Sequence, residues 1–347
     1  MRKKVKKNKN LIKDLKIKKL YKIFRDKVVK NTNNENFALA VSGGSDSLCL
    51  AYFGKIFTSE FYNKMSVLIV DHKLRKESRL EALKVQKILK DKKIESKVLK
   101  WKGQIPKSNI QKNARNMRYE LISKYCLKHK IKYLITAHHL DDQIENFFIR
   151  MLRGSGIKGL SSMSENVDYN KSLKIIRPFL SLKKIDLEYA TLSFFKKYIK
   201  DPSNKNEKFL RVRIRKYRNI MEKEGLDTHK IIKTISNLLS TNKTLNFYKN
   251  KAFYKHVSFS SKDKCSVNLK IFYEESGEIV FNVFSDILSL ISGTYYPPRS
   301  KKILSLIKRI KKSTFTKSTL GGCIIDKKDN LTLITREQIA KKGYLVS

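Results

Sequence analysis

Between residues 37 and 153 short apolar runs alternate with longer amphipathic ones, and this alternation restricts the fold more than any other feature of the chain. Residues 37–41, 66–70, 95–101 and 132–137 have the length and apolar content of buried strands. Residues 45–57, 77–90, 109–129 and 141–153 carry apolar side chains at helical spacing. Such repetition predicts an α/β fold, an open parallel sheet with helices on both faces, whose ligand sits beyond the carboxyl ends of the strands. The loops expected at those ends read SGGSDS, DHKLR and AHHLDD. Three polar loops gathered at one sheet edge point to a site.

Further along, 175–178 reads as one more strand and 182–198 as a helix ending before DPSN. A basic helix from about 206 to 222 follows, then a connecting helix over 228–249. From about 252 the pattern changes to strands at 266–272 and 278–284, two short helices and a Gly-Gly hairpin between Thr319 and Ile325. The expected division is a basic extension (1–24), a nucleotide-binding domain (25–222), a helical linker (223–251) and a small α+β C-terminal domain (252–347).

Composition bears on partners. The chain has 77 Lys and Arg against 31 Asp and Glu, a net charge of +46. A surface so positive concentrates polyanions, nucleic acid or an anionic membrane face. Composition bias also contributes, so charge by itself does not choose between them. No apolar run has membrane-spanning length and the Lys-dense first twenty residues lack a signal-peptide core, which predicts a cytoplasmic protein with no membrane partner. Cys49, Cys126, Cys265 and Cys323 are far apart and suggest reduced, structural thiols. The sequence leaves open whether the protein is a monomer or a homodimer.

The first loop is the most telling. Ser42, Gly43, Gly44, Ser45, Asp46 and Ser47 follow a buried strand and open a helix. Two glycines allow backbone N–H groups to approach an anion closely, the hydroxyls add donors, and the helix N-terminus adds partial positive charge. This is a phosphate cradle, although a simple N-capping turn has a similar composition. The Lys of a Walker loop is missing. An acid in an anion site is reasonable if a cation bridges it to phosphates, which makes Asp46 the candidate ligand of Mg²⁺.

Asp71 and His72 end the second strand, and the helix after the fourth places Asp142, Glu145 and Asn146 on one face. Arg115 and Arg118, one turn apart, are suited to phosphates by their planar donors. The His and Asp residues together also allow a metal pair, a phosphoesterase of the DHH type, and His72 or His139 alone allows nothing more than a polar core residue.

The SGGSDS loop resembles the PP-loop of the ATP pyrophosphatases, the adenine nucleotide alpha hydrolase-like fold, which cleave ATP to AMP and pyrophosphate. The ordered set SGGSDS, VDHKLR, ARNMRY, TAHHLDDQIEN, RGSGIKGL, RPF, DPSN and RVRIR, across about residues 37–216, is similar to the tRNA(Ile)-lysidine synthetase family. Phe179, Asn146 and Val212 depart from the usual Leu, Thr and Asn of these motifs. The C-terminal third resembles the family's tRNA-binding domain more loosely, and the chain is short enough that a further C-terminal subdomain of longer members is expected to be absent.

The resemblance implies a ligase acting on the wobble cytidine of tRNA(Ile) with a CAU anticodon, with ATP, Mg²⁺ and free L-lysine as co-reactants. The cytidine oxygen at carbon 2 attacks the α-phosphate, pyrophosphate leaves, and the lysine ε-amine then displaces AMP to give lysidine. On this basis Ser42 to Ser47, Asp71 and His72 are expected to hold ATP. Asp46, Arg115, Arg118, His138, Asp142 and Glu145 are expected to be catalytic, with His138 contacting the adenylate. Arg153, Arg211, Arg213 and Arg215 are expected to contact tRNA, while which aromatics stack bases, Tyr295 and Tyr296 being examples, is left open by the sequence. The rival readings are a PP-loop tRNA thiolase, the metal phosphoesterase, and a non-catalytic RNA-binding protein.

Overall fold

The computed structural model describes residues 12–73, 77–103, 110–161, 163–170, 172–200, 206–294 and 297–337. The DPSN segment, Arg75, and Tyr295 and Tyr296 lie outside these. The chain divides into two compact units, Met1–Ser236 and Asn237–Ser347.

The first unit is built on strands β1 (Phe37–Ala40), β2 (Met65–Asp71), β3 (Ser96–Lys100), β4 (Tyr133–Ile135), β5 (Asn166–Asn170) and β6 (Leu173–Ile176). They form one sheet in the order β3-β2-β1-β4-β6-β5, parallel except for the antiparallel β5 edge. The α/β reading from the alternating pattern is therefore what the chain adopts. Edge strand β5 has no counterpart in the sequence reading, because NVDYN is polar at every second residue and half exposed.

The helices of this unit are α1 (Leu15–Thr32), α2 (Ser45–Phe61), α3 (Ser78–Lys90), α4 (Ile110–Lys128), α5 (Leu140–Leu152), α6 (Ile157–Leu160), α7 (Lys184–Phe195) and α8 (Leu210–Lys223). α1 crosses the boundary expected at residue 24. Asp14 caps it by accepting from the Ile17 N–H at 3.0 Å, and Ile17, Leu20, Tyr21, Phe24 and Val28 are buried in the same core as Phe37, Phe53, Phe57 and Phe179. Residues 15–24 are thus core-forming on one helix face and basic on the other, and the lysine content masks the apolar spacing.

The strand order reverses between β1 and β4, so chain leaves these neighbours in opposite directions and a crevice opens at their carboxyl ends. SGGSDS follows β1 and AHHLDD follows β4, which sets both loops at that crevice.

The long helix α9 (Thr228–His256) leads into the second unit. There β7 (Val257–Ser261), β8 (Lys264–Asn268), β9 (Lys317–Leu320), β10 (Cys323–Lys328) and β11 (Leu331–Arg336) form an antiparallel sheet in the order β7-β8-β11-β10-β9. The short α10 (Ile271–Glu274), then α11 (Gly277–Ser292) and α12 (Ser300–Ile310), accompany it. The Gly-Gly hairpin is present, with Gly321 and Gly322 both at positive φ between β9 and β10. The strand expected at 278–284 is corrected to helix. Ile279, Val280, Val283, Phe284, Ile287, Leu288 and Ile291 are buried at helical spacing, the Ser276 hydroxyl caps the Ile279 N–H, and β-branched content had mimicked a strand. The strand at 266–272 also ends early, at Asn268, with Phe272 in α10.

Candidate active site

Ser42 to Ser47 carry β1 into α2 through a turn that the chain holds from three sides. The Ser47 hydroxyl accepts from the Ser42 and Gly43 amides at 3.2 and 3.1 Å and donates to the Gly44 carbonyl at 3.0 Å. Thr191 of α7 donates to the Ser45 carbonyl at 2.6 Å, and the Ile199 amide donates to the Gly43 carbonyl at 2.9 Å. Gly43 sits at φ +90°, where a Cβ would meet Val85 Cγ2 at 2.4 Å, so only glycine fits. Gly44 is different. Its φ is an ordinary −70°, no side chain caps α2, and nothing lies within 4 Å of where its Cβ would be. The open space above Gly44 and the uncapped amides of α2 are what a phosphate group requires.

This turn forms one wall of a cavity of about 480 Å³. Arg115 and Arg118 reach it from α4, His72 from the end of β2, His138 from the β4–α5 loop, Asp142 from the first turn of α5, and Arg211 and Arg215 from α8. Arg115 lies over the Tyr119 ring at 5.2 Å, which fixes its guanidinium at the cavity edge. Asp71 does not line the cavity. It is buried behind it, accepting from the Ser78 hydroxyl at 2.7 Å and the Lys73 amide at 3.0 Å, and so holds the loop that carries His72.

The acids of α5 are all engaged by α8. Arg211 donates to Glu145 at 2.7 Å and Asp142 at 3.1 Å, Arg215 donates to both oxygens of Glu145, and Arg218 donates to Asp141 at 2.7 Å. Arg211, Arg215 and Arg218 are spaced i, i+4, i+7 and present one row to α5. Two of the four arginines expected on tRNA are therefore in the cavity, paired with two of the expected catalytic acids. Of the others, Arg213 faces away from this row and donates to the Glu207 and Lys208 carbonyls, and exposed Arg153 ends α5.

His139 is the residue that spacing did not single out. Buried and capping α5, it lies with Nε2 at 3.6 Å from Asp46 and 3.5 Å from Asp142, and with Nδ1 at 3.7 Å from Asp141. Burial works against its charged form, but the hydrogen bond to Asp46 and the charges of Asp142, Asp46 and Asp141 outweigh it and raise its pKa. Its position directly before the acids that open α5 was the signal available in the sequence. His138 behaves oppositely. Burial, reinforced by Arg115, Arg177 and Arg211 and opposed by Asp142, lowers its pKa to about 3, and its Nδ1 is 2.9 Å from the Thr136 hydroxyl. It is a neutral imidazole at any physiological pH. Asp142 is held below its ordinary value: burial opposes this, but the charges of His139 and Arg211 and the hydrogen bond from the His139 amide prevail.

Asp46 is the one carboxylate on the cradle itself, accepting from Ser45 at 3.1 Å. One carboxylate beside a phosphate site suits Mg²⁺, which binds through one or two carboxylates and the substrate's own phosphates. Among the described residues no three His, Cys, Asp or Glu side chains form a metal cage, so the metal-pair reading finds no site there. The thiols are equally uninviting for sulfur chemistry. All four are buried, and burial raises Cys49 well above the ordinary value, Cys126 and Cys265 to about 12, and Cys323 to about 11.

A family profile described as the PP-loop domain matches residues 15–223. A protein named tRNA(Ile)-lysidine synthase from Orientia tsutsugamushi (strain Boryong) is 33% identical over 312 residues, 88% of this chain and 70% of that one. Its namesake from Wolbachia pipientis wMel is 35% identical over 310 residues, 88% of this chain and 71% of that one. Among solved structures, the U34-tRNA thiolase NcsA from Methanococcus maripaludis with its [4Fe-4S] cluster superposes with a TM-score of 0.56 at 20% identity, over 67% of this chain and 82% of that one. That likeness is one of fold.

Proposed function

This chain belongs to the tRNA(Ile)-lysidine synthase family, and from that premise we propose that its cavity joins free lysine to carbon 2 of the wobble cytidine in tRNA(Ile) with a CAU anticodon. ATP is consumed to AMP and pyrophosphate, in the cytoplasm where these substrates meet. The observation that carries the reading is the meeting, in one cavity, of an open phosphate cradle with Asp142 of α5 and with the arginines that pair it and the buried Glu145.

The residues divide the work by their chemistry. Ser42 to Ser47 present amides and hydroxyls to the phosphates, and Arg115 and Arg118 neutralise the charge that grows on the leaving pyrophosphate. Asp46 would hold Mg²⁺, which when bound would supply further charge neutralisation. The cytidine oxygen forms a bond to the α-phosphorus as the bond to pyrophosphate breaks. The ε-amine then forms a bond to carbon 2 as AMP leaves with the bonding pair. Lysine arrives as an ammonium ion, and Asp142 and Glu145 are the groups suited to hold it and accept its proton. Both carboxylates already face arginines, so the ammonium must share or displace them. His138, neutral, is suited to a hydrogen bond with the adenylate rather than to charge stabilisation. Residues 252–347 are assigned to holding the tRNA.

The test is to incubate the protein with ATP, labelled lysine and unmodified tRNA(Ile) transcript. Label should enter the RNA with one pyrophosphate released per lysine, and a transcript with uridine at the wobble position should stay unlabelled. Pyrophosphate release without lysine transfer, or transfer of sulfur instead, would overturn the assignment.

A further inference from the structure

The cradle offers hydroxyls, amides and a helix N-terminus but, unlike a Walker loop, no lysine of its own. A lysine nevertheless reaches the same cavity from another element. Lys184, the first residue of α7, is half-buried and lines the cavity together with Gly44, Asp46 and Ser47.

Two anchors fix where this residue stands. The Lys184 amide donates to the Asp141 carboxylate at 2.8 Å and the Leu140 amide donates to the Leu182 carbonyl at 2.9 Å, which ties the start of α7 to the start of α5. Further along the helix, buried Thr191 donates to the Ser45 carbonyl at 2.6 Å, which ties α7 to the cradle. Lys184 and Thr191 lie two turns apart, so they share a face of α7 and stand about 10 Å from each other along its axis. Tyr52 of α2 stacks on Phe194 of α7, with ring centroids 3.7 Å apart, and braces the two helices against each other. α7 is thus a strut between the acids of α5 and the phosphate cradle, with Lys184 facing the space it spans.

The other cations of the cavity are differently engaged. Arg211 and Arg215 donate to Asp142 and Glu145, and Arg115 lies over the Tyr119 ring. The Lys184 ammonium has no hydrogen bond or ion pair among the described residues. Drawing an ammonium partly out of water without a counter-charge is unfavourable, and an anion in the cavity relieves it. The acids of α5 already face arginines, so the anion must be a reactant, and the polyanionic reactant is ATP.

We propose that Lys184 is a further catalytic residue, whose ammonium binds the β- and γ-phosphates of ATP and neutralises the pyrophosphate as it leaves. When the bond between the α-phosphorus and its bridging oxygen breaks, the electron pair stays on that oxygen and the leaving group gains a negative charge. Lys184 donates hydrogen bonds and transfers no proton, so it stays an ammonium throughout. A compact charge on a flexible stem can follow the departing pyrophosphate, which the paired guanidiniums of Arg211 and Arg215 cannot do. This inference rests on the ATP-consuming reading above.

The test compares the unsubstituted chain with Lys184→Gln, Lys184→Arg and a control, Lys183→Gln. The control removes an exposed charge from the same helix end, where Lys183 lines the neighbouring cavity instead. Titration calorimetry gives the affinity for inorganic pyrophosphate, and steady-state lysine transfer to tRNA gives kcat and the KM for lysine. Loss of a charge-assisted hydrogen bond corresponds to a change of about 10- to 100-fold. Lys184→Gln should lose pyrophosphate affinity and kcat by that factor, with the KM for lysine and the melting temperature unchanged. Lys184→Arg should recover most of both, and Lys183→Gln should match the unsubstituted chain. Unchanged pyrophosphate affinity and kcat in Lys184→Gln, or an equal loss in Lys183→Gln, overturns the proposal. A raised KM for lysine with pyrophosphate affinity intact overturns it in favour of a contact with the amino acid's carboxylate. Should Lys184→Gln melt early, the arginine variant decides, because its failure to restore pyrophosphate affinity overturns the proposal. If the unsubstituted chain releases pyrophosphate from ATP but transfers no lysine, the functional reading falls while the role of Lys184 is still read from that release. If Lys184→Gln alone fails to differ, only this assignment falls.

Discussion

The two glycines of the cradle make opposite predictions, because one is needed by the fold and the other by the ligand. In Gly43→Ala the new methyl must be accommodated at φ +90° with Val85 Cγ2 at 2.4 Å. A left-handed backbone costs a residue with a Cβ roughly 1–2 kcal/mol, and forcing a methyl into packed side chains costs roughly 1–3 kcal/mol more. Together the loss is about 2–5 kcal/mol, and for a unit of this size it should lower the melting temperature on the order of 10 °C. In Gly44→Ala neither penalty applies, since the backbone is ordinary and the space is open. That open space is where a phosphate is proposed to lie. A methyl there displaces it from at least one charge-assisted hydrogen bond, worth roughly 1.5–3 kcal/mol or a 10- to 100-fold loss of affinity. Scanning calorimetry and ATP titration calorimetry on both variants separate the effects. Gly43→Ala should melt early, and Gly44→Ala should melt normally and bind ATP poorly. A Gly44→Ala protein with unchanged ATP affinity would refute the cradle, and a Gly43→Ala protein with unchanged melting would refute the strain argument.

The low pKa of His138, about 3 against an ordinary 6.5, means the unfolded chain binds a proton there that the folded chain does not over that window. Its contribution to stability is therefore complete above pH 6.5 and lost as pH falls toward 3, and His138→Gln should flatten the acid limb of the stability curve. Nitrogen chemical shifts of a neutral ring from pH 5 to 8 check the premise directly. Arg218, which ties Asp141 to Glu222 with 2.7 Å contacts to each, should cost about 1–3 kcal/mol when changed to Ala, with part of the loss recovered by Lys, as read from urea midpoints. Because every thiol is buried, maleimide should leave the native protein unlabelled and its lysine transfer unaffected; rapid inactivation by maleimide would revive a sulfur-transfer reading.

What could be read from residues alone was set by range. The strands β1 to β4, the helices between them and the cradle all depend on neighbours within a few positions, so periodicity and the glycine pair were enough to place them. α11 failed because Val280 and Val283 favour strands locally, while their burial at helical spacing is decided by the sheet they cover. The pairing of Arg211 and Arg215 with the α5 acids was hidden for a related reason. On a helix with five arginines and lysines within eight residues, nothing local distinguishes a row facing tRNA from a row facing α5; the distinction is made by Glu145, 66 and 70 residues away.

The excess positive charge divides by residue type. On α8 the inward cations are arginines, each donating through its planar guanidinium to buried or half-buried carboxylates, a geometry that a lysine ammonium does not reproduce. On α12 the outward cations are mainly lysines without ion-pair partners among the described residues, each a mobile point charge on a flexible stem that suits an irregular row of phosphates as well as a fork would. Exchange of residue type should therefore be asymmetric. Arg215→Lys should impair lysine transfer because Glu145 loses its two-oxygen contact, whereas Lys301→Arg and Lys308→Arg together should leave tRNA binding and its salt slope unchanged. If both exchanges proved neutral, net charge alone would account for the two surfaces, and the assignment of distinct roles to α8 and α12 would fail.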